Sequence, residues 1–346
     1  MNETIFLGTY TKRESKGIYT IQLDRVNKRL THSAFLVQAD NPTYLTLSDD
    51  KNRLYTISKE NEDGALVAFK RNESNELIQS GAVSAQGAPP CYVSYDKVRS
   101  FVYTANYHKG EVSVLKTDEE GQLTLLDTVK HSGSSIHENQ QIPHAHYFDL
   151  SPDGRYVIAC DLGTDVVYTY AVDDNGKLSE VSRLDVAPGT GPRHLVFHPN
   201  QKTAYLFGEL SSEVLTLRYN LNTGVFTVAQ TIPTIPAEHT EFNGGAAIRI
   251  SQDGKFVYAS NRGHDSIAVF SVSSKNNLLS LVEIIASEGR IPRDFDIDPT
   301  DQFVVVAHQE SDNLTLFERD QETGELSLLQ KDVYVPECVC VLFDSL

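Results

Sequence analysis

The stretch Pro143-His144-Ala145-His146-Tyr147-Phe148-Asp149-Leu150-Ser151-Pro152-Asp153-Gly154 sets a pattern that the rest of the chain repeats. A near copy opens at Gly191-Pro192-Arg193-His194-Leu195-Val196-Phe197-His198-Pro199, and another at Ile291-Pro292-Arg293-Asp294-Phe295-Asp296-Ile297-Asp298-Pro299. Weaker versions begin at Pro42, Pro90, Gly245 and Pro336. Aligned, they place repeat origins at 42, 90, 145, 192, 245, 292 and 336, an interval of about 49 residues. A period of this size marks a repeat architecture, in which each unit buries its apolar faces against its neighbours.

Working outward from the origins, each repeat reads as four short strands, a to d. In the first full repeat these fall at 44–48, 53–58, 65–70 and 77–84, with apolar and polar residues alternating and β-branched and aromatic residues frequent. Asp153-Gly154 and Asp253-Gly254 mark tight a–b turns. Asp174-Asn175-Gly176, Asn222-Thr223-Gly224 and Glu322-Thr323-Gly324 do the same between c and d. The chain ends supply the count. Residues 336–343 form a strand a with nothing after it, while 5–10, 17–23 and 30–37 read as b, c and d with nothing before them. Joined, they make a seventh repeat and leave no long edge strand free. The sequence therefore predicts a single all-β domain over 1–346, a seven-bladed β-propeller with four antiparallel strands per blade. Its seventh blade is built from 336–343 plus 5–37, so that the C-terminal strand closes the ring on the N-terminal strands.

Composition bounds the partners. Hydrophobic residues make up 40% and charged residues 22%, a globular balance. The net charge of −17 argues against nucleic acid and anionic membrane, which need a basic face. The N-terminus MNETIFLGTYTKR lacks the apolar core of a signal peptide, and no apolar run is long enough for a bilayer, so the expected location is cytoplasmic. Cys91, Cys160, Cys338 and Cys340 show no CxxC spacing and read as buried free thiols. Oligomeric state is not legible in the sequence. Two inter-repeat loops, 130–142 and 231–244, are longer than the others and join strand d of one blade to strand a of the next.

Because strand a leaves one face and strand b returns to it, the start of every a and the end of every b share that face. The column just after the origin holds Thr43, Cys91, His146, Arg193, Ala246, Arg293 and Glu337. The column ending strand b holds Lys59, Tyr107, Leu162, Glu209, Arg262, Gln309 and Tyr10. A structural column should keep one residue type, as Leu45, Val93, Phe148, Leu195, Ile248, Phe295 and Val339 do. The two polar columns break the repeat on one face, where function is expected. The candidate site is His144, His146, Arg193, His194, Glu209, Arg262 and Arg293, with Asn106, Asp161 and Lys59 at its margin. Arginine forks suit carboxylate, phosphate or a developing oxyanion. Histidine suits a general base near neutral pH. The bland reading is a rim of solvated or mutually paired groups, Arg193 with Glu209 for example. A metal held by His144, His146 and Glu209 or Glu241 is the other reading. The neighbouring arginines argue against it, so no metal and no cofactor is expected.

Gly8-Thr9-Tyr10-Thr11, Ser15-Lys16-Gly17-Ile18-Tyr19, Pro-His-Ala-His at 143–146 and Gly-Pro-Arg-His at 191–194 together resemble the seven-bladed propeller lactonases. Tyr258-Ala259-Ser260-Asn261-Arg262 and Ile291-Pro292-Arg293-Asp294-Phe295 add to the likeness, which covers essentially the whole chain. The family includes propeller-type 6-phosphogluconolactonases and fungal carboxymuconate lactonising enzymes. The resemblance implies a metal-independent enzyme of carbohydrate metabolism acting on a small anionic lactone, with 6-phosphogluconolactone and the pentose phosphate pathway foremost. A carboxymuconate-type cycloisomerase acting on an organic acid is the alternative. Asn261-Arg262 also resembles secreted surface-layer propellers, which leaves a non-catalytic binding reading open. By resemblance the catalytic residues are His146 (or His144 as base), Arg193 and Glu209. His144, His194, Arg262, Arg293 and Asn106 would bind substrate.

Overall fold

In the computed structural model, residues 2–344 are described, and all their regular structure is β. The span 1–346 read as one domain includes residues 1, 345 and 346, which lie outside the described residues. The chain opens with β1 (Asn2–Thr9), β2 (Gly17–Asp24) and β3 (Arg29–Gln38). Then come β4 (Leu45–Leu47), β5 (Arg53–Glu60), β6 (Asp63–Arg71) and β7 (Leu77–Ala85), followed by β8 (Tyr92–Asp96), β9 (Phe101–Asn106), β10 (Glu111–Thr117) and β11 (Leu123–Lys130). The middle of the chain forms β12 (Ala145–Leu150), β13 (Tyr156–Asp161), β14 (Val166–Val172) and β15 (Leu178–Asp185). Next are β16 (Pro192–Phe197), β17 (Thr203–Gly208), β18 (Glu213–Tyr219) and β19 (Phe226–Pro233). They lead to β20 (Gly244–Ile250), β21 (Phe256–Arg262), β22 (Ser266–Val272) and β23 (Leu279–Ala286). Last are β24 (Pro292–Ile297), β25 (Phe303–His308), β26 (Asn313–Arg319), β27 (Leu326–Tyr334) and β28 (Cys338–Phe343).

These strands make seven four-stranded sheets, six of consecutive strands and one of order β28-β1-β2-β3. That is the predicted seven-bladed propeller, closed by β28 pairing antiparallel with β1 from Ile5↔Phe343 to Thr9↔Cys338. The predicted strands in the first full repeat fall within two residues of the observed ones at every end. The turns are made as expected. Ser251 N–H donates to Phe256 O at 2.9 Å, its hydroxyl donates to Asp253 at 2.7 Å, and Gly254 sits at φ 74°. That left-handed geometry favours glycine.

Contacts group the chain into two compact units. The first comprises residues up to 35, 194–219 and from 227 onward; the second comprises 36–193 and 220–226. In the second, Tyr55, Ile57 and Leu66 of one blade pack on Val93, Val102 and Leu115 of the next. In the first, Ile5, Leu7 and Ile21 pack with Phe303, Val305 and Leu316, and Val341 and Phe343 of the closing strand join them. Each such side chain, fully buried, contributes about 1.5–3 kcal/mol. Cys160, Cys338 and Cys340 are buried free thiols as predicted, whereas Cys91 is only half-buried.

Candidate functional site

In four blades the end of strand b bonds through the backbone to the segment that leads into strand a. Leu162 N–H donates to His144 O, Lys59 to Asp40 O, Gln309 to Ile291 O and Tyr10 to Glu337 O, all at 2.9–3.0 Å. The start of strand a and the end of strand b thus share an edge, as the sequence predicts.

In the second unit, that edge gathers His144, His146 and Tyr107. His146 enters β12 with 5% exposure. His144, half-buried, stacks on Tyr107 with ring centroids 4.1 Å apart and an interplanar angle of 13°, and its Nδ1 lies 2.8 Å from Tyr107 O. Tyr107 presents an edge to His146 at 6.0 Å. Burial and the neighbouring His144 hold the imidazole of His108 below its usual range. The segment that carries these histidines is anchored from beneath. Asp161 accepts the N–H groups of His144 (2.8 Å), Gly163 (2.9 Å) and Thr164 (3.1 Å). Its other oxygen lies 2.6 Å from His131 Nδ1, and the Tyr170 hydroxyl is 3.0 Å from His131 Nε2. Asp161 is fully buried, so its place is under the rim rather than on it. Asn106 is likewise occupied: its amide donates to Ala88 O at 2.8 Å and accepts from Lys109 N at 3.0 Å. These bonds hold the turn after β9. Lys59 is exposed. Arg193 opens β16 with 2% exposure. The long loop before β12 is pinned by buried Gln140, whose amide donates to Leu162 O at 2.8 Å.

In the first unit, His194 is buried in β16. Glu209, just after β17, pairs with Arg262 at 2.9 Å, the two side chains being 20% and 13% exposed. The Arg262 guanidinium also donates to Gly244 O (3.3 Å) and Gly245 O (2.8 Å). Glycine permits this approach, since a Cβ at Gly244 would come within 3.2 Å of Arg262 Nη2. The structure thus brings Arg262 and Glu209 together. Arg293 donates to the Gln309 side-chain carbonyl at 3.3 Å and lies over the Tyr10 ring. The second long loop is tied down through buried Thr234, whose hydroxyl donates to Asn261 Oδ1 at 2.7 Å.

Two further column members, Glu337 and Tyr107, have defined partners. Glu337 accepts the N–H groups of Lys12, Arg13, Glu14 and Ser15 at 2.9–3.1 Å, so it ties a loop. Tyr107 belongs to the strand-b column, and its aromatic ring between two histidines was the available signal. Among the described residues no three His, Cys, Asp or Glu side chains are grouped to hold a metal ion.

A fold of seven such blades with a histidine- and arginine-bearing edge defines a class. The family description "Lactonase, 7-bladed beta-propeller" matches residues 4–343. The chain belongs to that family of lactone hydrolases. It is 44% identical over 340 residues to the 6-phosphogluconolactonase of Bacillus subtilis (strain 168), covering 98% of this chain and 97% of the relative. A crystal structure of a Lactobacillus plantarum protein superimposes with a TM-score of 0.96 at 50% identity, over 99% of both chains. The periplasmic gluconolactonase PpgL of Pseudomonas aeruginosa superimposes with a TM-score of 0.93 at 30% identity, again over 99% of both.

Proposed function

We propose that this protein hydrolyses 6-phosphogluconolactone to 6-phosphogluconate without a metal. The observation that carries the reading is the 44% identity, across 98% of the chain, with a protein named 6-phosphogluconolactonase. The side chains supply a coherent chemistry. His146 takes a proton from water as the water oxygen attacks the lactone carbonyl, with His144 and Tyr107 setting its surroundings. Arg193 receives the oxyanion that develops there, an interaction that strengthens as charge builds. The ring C–O bond then breaks, and the imidazolium returns its proton to the departing alkoxide. Glu209 is held in place by Arg262 at 2.9 Å. Arg293 would hold the phosphate.

A lactone opens spontaneously in water, so the barrier to be lowered is small and a constellation without a full triad suffices. The names of the relatives favour hydrolysis over lactone formation or simple binding. The test is turnover of 6-phosphogluconolactone by the purified protein, with buffer hydrolysis subtracted. His146→Ala and Arg193→Ala should each lower kcat by about 10²–10³, the loss typical of an oxyanion donor. Wild-type protein that does not exceed buffer hydrolysis would rule the reading out.

A further inference from the structure

In the first unit, one aromatic ring carries two cations. Lys12 Nζ lies 4.1 Å from the centroid of the Tyr10 ring, and the guanidinium carbon of Arg293 lies 5.7 Å from the same centroid. Both are within cation–π range. They come from different parts of the chain, Lys12 from the loop after β1 and Arg293 from β24. The loop is held firmly for one so short. The Glu337 carboxylate accepts four successive N–H groups, from Lys12 through Ser15, while Tyr10 N–H donates to Glu337 O at 3.0 Å. Charge-assisted bonds of this kind fix the backbone from which Lys12 projects.

The cations on this loop are sorted. Arg13 pairs with Asp312 at 2.8 Å and approaches Glu337 at 3.8 Å. Lys12 forms no ion pair among the described residues. Arg293 has a neutral partner, the Gln309 carbonyl at 3.3 Å, which orients the guanidinium without cancelling its charge. Lys12 and Arg293 both lie on the Tyr10 ring, and neither pairs with a carboxylate among the described residues. Their charge is available to a ligand.

We propose that Lys12, Arg293 and Tyr10 form an anion clamp for a phosphate ester, making the enzyme selective for a phosphorylated sugar lactone over the unphosphorylated one. The proposal rests on the lactonase reading above and adds Lys12 as a specificity-determining residue. Charge counting selects the ligand: a phosphate monoester carries about −1.5 to −2 at neutral pH, which two cations match, whereas one carboxylate needs only one. The guanidinium offers a planar fork to two phosphate oxygens, and the ammonium acts as a mobile point charge. The tyrosine ring, in cation–π contact with both, helps keep the two heads in place before the ligand arrives.

The test separates binding from turnover. Calorimetric titration with 6-phosphogluconate and with gluconate gives a phosphate preference that needs no catalysis. The ratio of kcat/KM for 6-phosphogluconolactone over gluconolactone gives the same preference in turnover. Lys12→Met and Arg293→Met should each lower the preference by about tenfold to a hundredfold, as expected for loss of one charge-assisted contact. Lys12→Arg should retain it. So should Lys16→Met, which removes a charge from the same loop outside the clamp. An unchanged preference in Lys12→Met and Arg293→Met overturns the clamp, and so does an equal fall in Lys16→Met. If wild type opens neither lactone yet binds 6-phosphogluconate in a Lys12-dependent way, the hydrolytic reading fails and the clamp stands.

Discussion

At the scale of single residues, the arginines divide by their partners. Arg262 has a carboxylate and two carbonyls around it, and Arg293 has one neutral amide. On the proposed reading Arg262 holds Glu209 in place, and Arg293 offers its charge to a ligand. Arg262→Met should lower kcat with little change in KM, because it frees the Glu209 side chain. Arg293→Met should raise KM for the phosphorylated lactone by about tenfold to a hundredfold. Steady-state kinetics on the two variants checks the split; a matching rise in KM for Arg262→Met would return that residue to substrate binding. The sequence legibly marked both positions, because a column that should be uniform carried long polar side chains. Which way each side chain turned was not legible. Glu209 and Arg262 lie at the ends of strands in neighbouring blades, and the missing Cβ atom of Gly244 gives the Arg262 guanidinium room beside them. Glu337 shows the converse: a carboxylate in a polar column that is engaged mainly by backbone amides of the loop after β1.

At the scale of elements, strand boundaries were legible because the period-two pattern and the Asp-Gly turns agree. β4 is shorter than expected, only Leu45–Leu47. Polar groups on the a strands were the harder feature. Arg249 of β20 reaches Asp294 (2.9 Å) and Asp296 (3.3 Å) of β24, and Asp294 also accepts Val341 N–H of β28 at 2.9 Å. These three strands are cross-linked by charge, which alternation in any one of them does not reveal. Burial, and next to it the carboxylate of Asp294, push Asp296 up to about 6, although Arg249 pulls the other way. Asp296 keeps 23% of its side chain exposed, which moderates the effect. With its folded value raised above that of the unfolded chain, Asp296 contributes most stability below about pH 4. That contribution is lost as pH rises to about 6, a change of about 2 kcal/mol or somewhat more. Asp296→Asn should therefore gain stability relative to wild type across this window, and little below it. Urea denaturation midpoints at several pH values check this. Parallel profiles for the two proteins would mean that Asp296 titrates as an ordinary surface carboxylate.

At the scale of the whole molecule, the number of blades was legible from the unmatched halves at the chain ends rather than from any one repeat. The closing pair β1–β28 is the element on which that count depends. Ending the chain at Val335 removes Val341 and Phe343 from the core that Ile5, Leu7, Phe303 and Leu316 share. Loss of two buried side chains of this size amounts to about 3–6 kcal/mol, and the edge of β1 becomes an unpaired template for aggregation. The truncated protein should be insoluble or strongly destabilised; a soluble product with an unchanged Tm would contradict closure by β28.

The same pairing has a consequence in time. β1 is made before every other described strand and β28 after them, with about 330 residues between the two, so at ~5–20 residues per second β1 waits roughly 20–70 s for its neighbour. Throughout translation the nascent chain carries an exposed β edge that only the final strand covers. Ribosome-bound chains stalled before Cys338 should be cut by protease within residues 2–24, and chains long enough to emerge past Phe343 should resist. Equal protection in both would show that the first strand finds a substitute partner while it waits.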